Sequence, residues 1–282
     1  VPALTSELQV SDRAVQAEIL TILSHLAQEH PEEVTSAAAN VIEFLTLETE
    51  PEILADAINI VAAIADSNPG TVVDAVPKLA ALLQDGSPAD ATAITAIQRV
   101  AEAYSDAVAP ITPQLIAYLD GSDETHRIGA LAVLGMLSKD YPNVAEETIP
   151  TAIELLDAGH YKLRANAAGL LADLADEYPD QVKPVVPQAI ELLEDPDEKA
   201  RYNATSILAR VAKADPDAVE PAINPLIDAL DEDLAYTRSN ACWALGYLKA
   251  NDAVDRLREV EETDSNEEVR HAASVAIDEI ES

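Results

Sequence analysis

Apolar residues recur at helical spacing along nearly the whole chain, and one stretch shows the unit most clearly. In residues 164–175, Leu170, Leu171 and Leu174 fall on one side of a 3.6-residue turn, which predicts a first helix, here called A. Pro179 cannot continue that helix, because it lacks a donor and its ring clashes with the preceding turn. Residues 182–193 predict a second amphipathic helix, B, with Val186, Ile190 and Leu193 on one face and Pro187 near its start, where a missing N–H costs least. In the turn that follows, Asp195-Pro196-Asp197, Asp197 is placed to cap the next A helix. Only eight glycines are present and no clean period-2 alternation occurs, so the pattern predicts an all-α fold.

The unit repeats. Leu119-Asp120…Arg127, Leu156-Asp157…Arg164, Leu193-Glu194…Arg201 and Leu230-Asp231…Arg238 recur every 37 residues, each acid seven positions before its arginine. Downstream come Arg-Ala-Asn-Ala at 164–167, Arg-Tyr-Asn-Ala at 201–204 and Arg-Ser-Asn-Ala at 238–241. Further marks are Tyr141-Pro142, Tyr178-Pro179 and Asp215-Pro216, and the pairs Ile149-Pro150, Val186-Pro187 and, one place late, Asn224-Pro225. Weaker copies predict helix pairs over 12–30 with 32–47, 52–68 with 72–83, and 89–104 with 111–119, where the arginine is replaced by Gln16, Leu54 and Ala91. Residues 254–262 predict a short B helix and 267–280 a last A helix carrying Arg270. One pair cannot bury its apolar face alone, so neighbours must stack. The expected organisation is a single solenoid over 1–282, with a lone B helix in 1–11, pairs in 12–252 and short terminal helices in 253–282. Val1-Pro2-Ala3-Leu4 is similar to Val186-Pro187-Gln188-Ala189, which leads us to expect repeat material before residue 1.

These cassettes resemble HEAT repeats, in particular the short variety shared with phycobilisome-lyase-like proteins: Leu, an acid, a turn, then Arg followed by small residues. The resemblance is strongest over 105–250. It implies an α-solenoid, a right-handed superhelix of about seven helix pairs with B helices lining the concave face. It also implies that Asp120, Asp157, Glu194 and Asp231 join with Arg127, Arg164, Arg201 and Arg238 to bridge consecutive repeats. Two positions after three of these arginines stand Asn166, Asn203 and Asn240, expected as a ladder of amides bonding between adjacent A helices.

Charge changes the picture. Asp and Glu total 52 against 17 Lys and Arg, a formal net charge of −35. Self-repulsion of that size destabilises a compact chain in dilute buffer, and molar salt relieves it by shortening the Debye length to about 3 Å. Because the acids are spread from Glu7 to Glu281 without a single block, a halophilic source, archaeal by this reading, is preferred to one dedicated basic partner. No basic stripe offers itself to nucleic-acid phosphates. The single cysteine, Cys242, rules out an intrachain disulfide and fits a reducing cytoplasm. It aligns with Leu131, Ala168 and Thr205, as a core thiol would. The longest apolar stretch, around residues 58–65, is far short of a membrane span.

Chemistry is not encoded in any recognisable motif. His25, His30, His126, His160 and His271 form no His-Glu pair and no i,i+4 pair, unlike the di-iron hydroxylases built on HEAT repeats. There is no GxSxG elbow, phosphate cradle or paired-cysteine motif, so no catalytic, metal or cofactor residue is expected. Three features remain as candidates for binding a partner. Glu154, Glu191 and Asp228 sit one turn before the ladder acids and make a negative stripe if B helices line the inner curve; the alternative is an ordinary solvated face. Tyr161, Lys162, Lys199, Tyr202 and Tyr236 gather at the start of consecutive A helices, either as a contact edge or as packing at the turns. Trp243, the only tryptophan, replaces the small residues Ala132, Gly169 and Ser206, and either fills a gap or projects as an anchor. The expected function is a non-catalytic protein-binding scaffold with an unidentified protein partner. The alternatives are a helical module of, or accessory to, an enzyme (bilin-lyase-like or multidomain) and an acidic binder of basic chromatin proteins.

Overall fold

The computed structural model describes residues 1–9, 11–83, 90–121 and 123–282; Val10 of the expected lone helix and Ala89 of the expected third A helix lie outside them. Its contacts divide the chain into two compact units, Val1–Val144 and Ala145–Ser282. Among the described residues there is no strand.

In the first unit a short opening helix, α1 (Pro2–Leu8), precedes α2 (Arg13–Glu29), α3 (Ala38–Ile42), α4 (Pro51–Ser67), α5 (Val76–Leu82), α6 (Asp90–Ala101), α7 (Thr112–Leu119) and α8 (Glu124–Asp140). The A helices α2, α4, α6 and α8 pack each on the next, and the short B helices lie against them. Capping fixes several starts: Asp12 accepts from Val15 N at 3.1 Å, and Asp123 accepts from Thr125 N at 2.8 Å and His126 N at 3.1 Å. Prolines open the following segments, as Pro31 and Pro69 do just after α2 and α4 end.

The second unit holds α9 (Ile149–Leu155), α10 (Tyr161–Leu174), α11 (Val186–Glu191), α12 (Glu198–Ala214), α13 (Ile223–Asp228), α14 (Ala235–Tyr247), α15 (Val254–Thr263) and α16 (Glu267–Glu281). The A helices α10, α12, α14 and α16 again pack in succession. Asp197 caps α12 as the turn chemistry predicts, accepting from Lys199 N and Ala200 N, each at 3.1 Å.

The B halves differ from expectation. Residues 182–193 do not form one continuous helix: a helical turn at Pro179–Val182 passes through a 3₁₀ turn at Lys183–Val185 into α11, and a second 3₁₀ turn at Leu192–Glu194 closes it. The same turn–3₁₀–helix path recurs at Pro31–Val34 and Thr35–Ala37, at Ser105–Val108 and Ala109–Ile111, and at Pro216–Val219 and Glu220–Ala222. Proline is present in some of these breaks and absent from Thr35–Ala37, so it reinforces the break without causing it. What recurs is burial: Val34, Val72, Val108, Val182 and Val219 are fully enclosed, as are Ala37, Ala75, Val185 and Ala222 three positions later. Tightening to 3₁₀ puts two residues three apart on one edge, so both enter the core before the B helix begins. Aliphatic burial of this kind, at about 25 cal/mol per Å², is the main force holding each pair to its neighbour.

Candidate functional site

The most ordered polar feature is an arginine relay in the second unit. Arg164 Nε donates to Asp195 Oδ2 at 2.6 Å and Nη2 to Oδ1 at 3.2 Å, while Nη1 closes its own turn on the carbonyls of Ala158 and Gly159. Arg201 Nε reaches both Glu232 carboxylate oxygens at 3.0 Å, and its Nη1 donates to the carbonyls of Asp195 and Pro196. Arg238 Nε and Nη2 hold Asp264 at 2.6 and 2.9 Å, and Nη1 takes the carbonyls of Glu232 and Asp233. Arg270 ends the series on the carbonyl of Asp264 at 2.7 Å. Each acid thus binds one arginine through its side chain and the following arginine through its main chain. Asp195 and Asp264 also accept from the amides of Asp197 and Asn266, which stiffens the turn into the next A helix.

This corrects the expected partners. The acids seven places before the arginines are not the ones they hold: Asp120, Asp157 and Glu194 are exposed at the ends of B helices, and Asp231 pairs with Arg256 at 2.6 Å. The true partner lies one residue later in the next cassette, where Glu194 is followed by Asp195 and Asp231 by Glu232. Position decides this, because the last B-helix residue points outward while the first turn residue is turned back under the arginine. At the corresponding place one repeat earlier stands Ala158, which offers no carboxylate, and the buried Nε of Arg127 has no hydrogen-bond partner among the described residues.

Ionisation follows the geometry. Burial opposes the charge on Asp195, but hydrogen bonds from Arg164 and the Asp197 amide outweigh it and hold the carboxyl below the ordinary aspartate range. For Asp264 the hydrogen bond from Arg238 dominates, burial opposes, and the net displacement is again downward. Arg164 and Arg238 are raised, first by their bonds to these same carboxylates.

The asparagine row works differently from a stack of amides. Asn203 Nδ2 donates to the carbonyl of Ala165 at 2.8 Å, tying α12 to α10, and Gly169 leaves room for it: a Cβ there would stand 3.1 Å from Asn203 Nδ2. Asn166 also makes an interaction. Asn240 departs from Asn203. The carbonyl of Tyr202, which its Nδ2 would meet by analogy, accepts from Thr205 Oγ1 at 2.7 Å, and Asn240 Nδ2 is buried without a partner among the described residues.

Of the acidic stripe, Glu154, Glu191 and Asp228 are all exposed. Glu191 and Asp228 meet at one cleft of about 660 Å³ between successive repeats, together with Glu194 and the Arg201–Glu232 pair, over apolar groups of Ile190, Leu193 and Pro225. Glu154, on α9, does not line it. At the A-helix starts, Tyr161 stacks on His160 with ring centroids 5.0 Å apart, and Lys162 is exposed beside it. Tyr202 and Tyr236 approach to 6.1 Å, so two of the expected edge residues do meet. Trp243 stacks on Tyr247 at 6.3 Å and shares a groove with Tyr202; Tyr247 and Asp176 belong to that groove and were not singled out by the sequence. Cys242 is enclosed, and burial pushes its thiol up to about 12. Among the described residues no group of three or more His, Cys, Asp or Glu is placed to hold a metal ion, and no helix is long and apolar enough to cross a membrane.

With the stacked pairs and their relay in view, the class is defined: this is an all-α solenoid. Residues 186–278, which span the relay from Asp195 to Arg270, match the family model described as HEAT repeats. A solved engineered protein is similar over 86% of this chain and 96% of its own, with 19% identity and a TM-score of 0.57. A structure from work on a phosphorylation switch controlling the interaction between cadherin and β-catenin is similar with a TM-score of 0.79 and 16% identity, covering 100% of this chain, which spans 60% of that one's length. No curated protein sequence matches the chain.

Proposed function

We propose that the chain is a non-catalytic protein-binding scaffold, and that its cleft between α11 and α13 receives a basic segment of a partner protein. The observation that carries this is the set of three exposed carboxylates, Glu191, Glu194 and Asp228, at the rim of that cleft. Glu191, Glu194 and Asp228 form no salt bridge among the described residues. A lysine or arginine side chain complements both parts, its aliphatic stem lying on Ile190, Leu193 and Pro225 and its head reaching the rim. The similarity to a structure concerned with cadherin and β-catenin interaction supports the same direction. A lysine-rich probe peptide titrated in molar salt binds saturably, and Glu191→Lys with Asp228→Lys removes the binding while leaving the melting temperature in place. Binding that survives the double charge reversal excludes this cleft.

The working environment we infer is a salty cytoplasm. It rests on the net charge of −35 and on a single, buried cysteine.

A further inference from the structure

The second unit carries another groove, on the A-helix side, whose chemistry is the reverse of the cleft. It lies between α12 and α14, has a volume of about 260 Å³, and is walled by the rings of Tyr202, Trp243 and Tyr247. Its unpaired charge is positive. Lys213 is exposed and has no ionic partner among the described residues. Arg210 reaches Asp176 at 2.9 Å and Ser206 Oγ, so the one carboxylate at the groove is already engaged. With Asp176 set against Arg210, Lys213 leaves the groove locally positive in a chain of net charge −35. Lys199, three positions before Tyr202 on α12, extends the same helix face, and Tyr236, 66% exposed beside Tyr202, extends the aromatic edge.

Helix packing alone does not require this arrangement. A large exposed aromatic next to a tryptophan groove marks contact surface more often than core. The volume is below the roughly 300–1,000 Å³ of small-molecule sites, so it fits one or two side chains of a polypeptide. Trp, Tyr and Arg are the residues that dominate binding energy at protein contacts. What suits the groove is an apolar or aromatic side chain lying on Trp243 and Tyr202, next to a carboxylate that pairs with the exposed Lys213.

We infer that this groove docks an acidic segment of a partner protein, one that presents a carboxylate beside an apolar side chain. The inference rests on the scaffold reading for its context but uses a different face and the opposite charge. Trp243 is the only tryptophan, so its emission reports occupancy directly. The probe is a capped, Trp-free octapeptide of alternating glutamate and leucine, compared with the same peptide carrying glutamine or lysine in place of glutamate, and with a single-stranded oligonucleotide of equal charge. Expected is a saturable shift in Trp243 emission with the glutamate peptide alone. Lys213→Glu, at an exposed position, weakens it by about tenfold or more, the scale of one hot-spot contact. Glu191→Lys with Asp228→Lys leaves it unchanged. No saturable response to the glutamate peptide, an equal response to the lysine peptide or the oligonucleotide, or indifference to Lys213→Glu overturns the inference. Lysine-peptide binding at the α11–α13 cleft, followed by a label on that peptide, is independent of Lys213, so either reading fails without the other.

Discussion

Arg201 donates to the main-chain carbonyl of Asp195 at 2.9 Å, while the carboxylate of that same aspartate holds Arg164. One residue thereby joins two successive A helices, and the pattern repeats with Glu232 between Arg201 and Arg238 and with Asp264 between Arg238 and Arg270. The side chains in the Arg164–Asp195 and Arg238–Asp264 pairs are largely withdrawn from solvent. Each link has many hydrogen bonds per charge, which is the condition under which a buried pair offsets its own desolvation.

Register is the first thing to test. Asp195→Ala strands Arg164 in a half-buried site and removes the acceptor for the Asp197 amide; the expected loss in unfolding free energy is about 3–5 kcal/mol. Glu194→Ala, one residue earlier and exposed, is expected to stay within about 0.5 kcal/mol of the parent. Denaturant titrations of the two variants decide between the positions. Equal effects, or the larger effect at Glu194, would return the relay to the acid that the 37-residue spacing points to.

Acid titration tests the strength of the last link. The unfolded Asp264 takes up its proton near the ordinary aspartate value of about 3.9, whereas the folded one resists to lower pH because Arg238 donates to its carboxylate, burial opposing. The unfolded state therefore binds more protons in that window, and the link's contribution, complete above the unfolded value, fades as pH falls through the folded one. Compared with Asp264→Asn, the parent chain is expected to keep a constant stability advantage from neutral pH down to about 4 and to lose it below that. The other carboxylates titrate in both proteins and drop out of the difference. An advantage that grows on acidification contradicts the assignment.

The repeat, the helix pairing and the capping by Asp197 were legible because apolar spacing and turn chemistry act within one cassette. The identity of the relay acid was not, since Glu194 and Asp195 are adjacent acids and only the turn's direction tells them apart. The Asp231–Arg256 pair was hidden for a related reason, as its partners come from different cassettes with no shared spacing. The broken B helices left a trace that periodicity reading overlooks: a buried Val followed three places later by another small or aliphatic residue satisfies both a helix and a 3₁₀ turn. At the A-side groove, Tyr202 and Trp243 were visible as unusual residues. The orphaned amide of Asn240 was not, because the sequence aligns it with Asn203 and carries no sign that the two bond differently.

Backbone proximity in the last repeats gives a further test. Gly246 on α14 faces α16 so closely that a Cβ would stand 2.9 Å from Ala276 Cα. Gly246→Ala must push two helices apart, and the expected cost is about 1–3 kcal/mol. Gly135, inside α8, has nothing within 4 Å of such an atom. There alanine removes glycine's unfolded-state freedom and is expected to stabilise by about 0.5–1 kcal/mol. Thermal or denaturant unfolding of the pair checks the contrast; destabilisation at both sites would mean that helix–helix distance is not what makes Gly246 sensitive.

Salt dependence decides whether the charge excess is a burden that the medium relieves. Two opposed effects are present. Screening weakens the ion pairs, yet the relay pairs are buried and lose little, while the many exposed carboxylates repel one another over a Debye length of about 10 Å at 0.1 M salt and only about 3 Å at 1 M. Repulsion should therefore dominate the difference, and the melting temperature is expected to rise steadily from 0.1 M to molar sodium chloride. Cys242 gives an independent readout. Its thiol is enclosed and pushed up to about 12, chiefly by burial and then by the nearby Asp264, so it reacts with a disulfide reagent only when α14 opens. Labelling is expected to be slow in molar salt and to accelerate as salt is withdrawn, in step with the loss of thermal stability. A melting temperature and a labelling rate that stay level across this range would dissociate the acidity from folding and leave partner binding as its remaining cause.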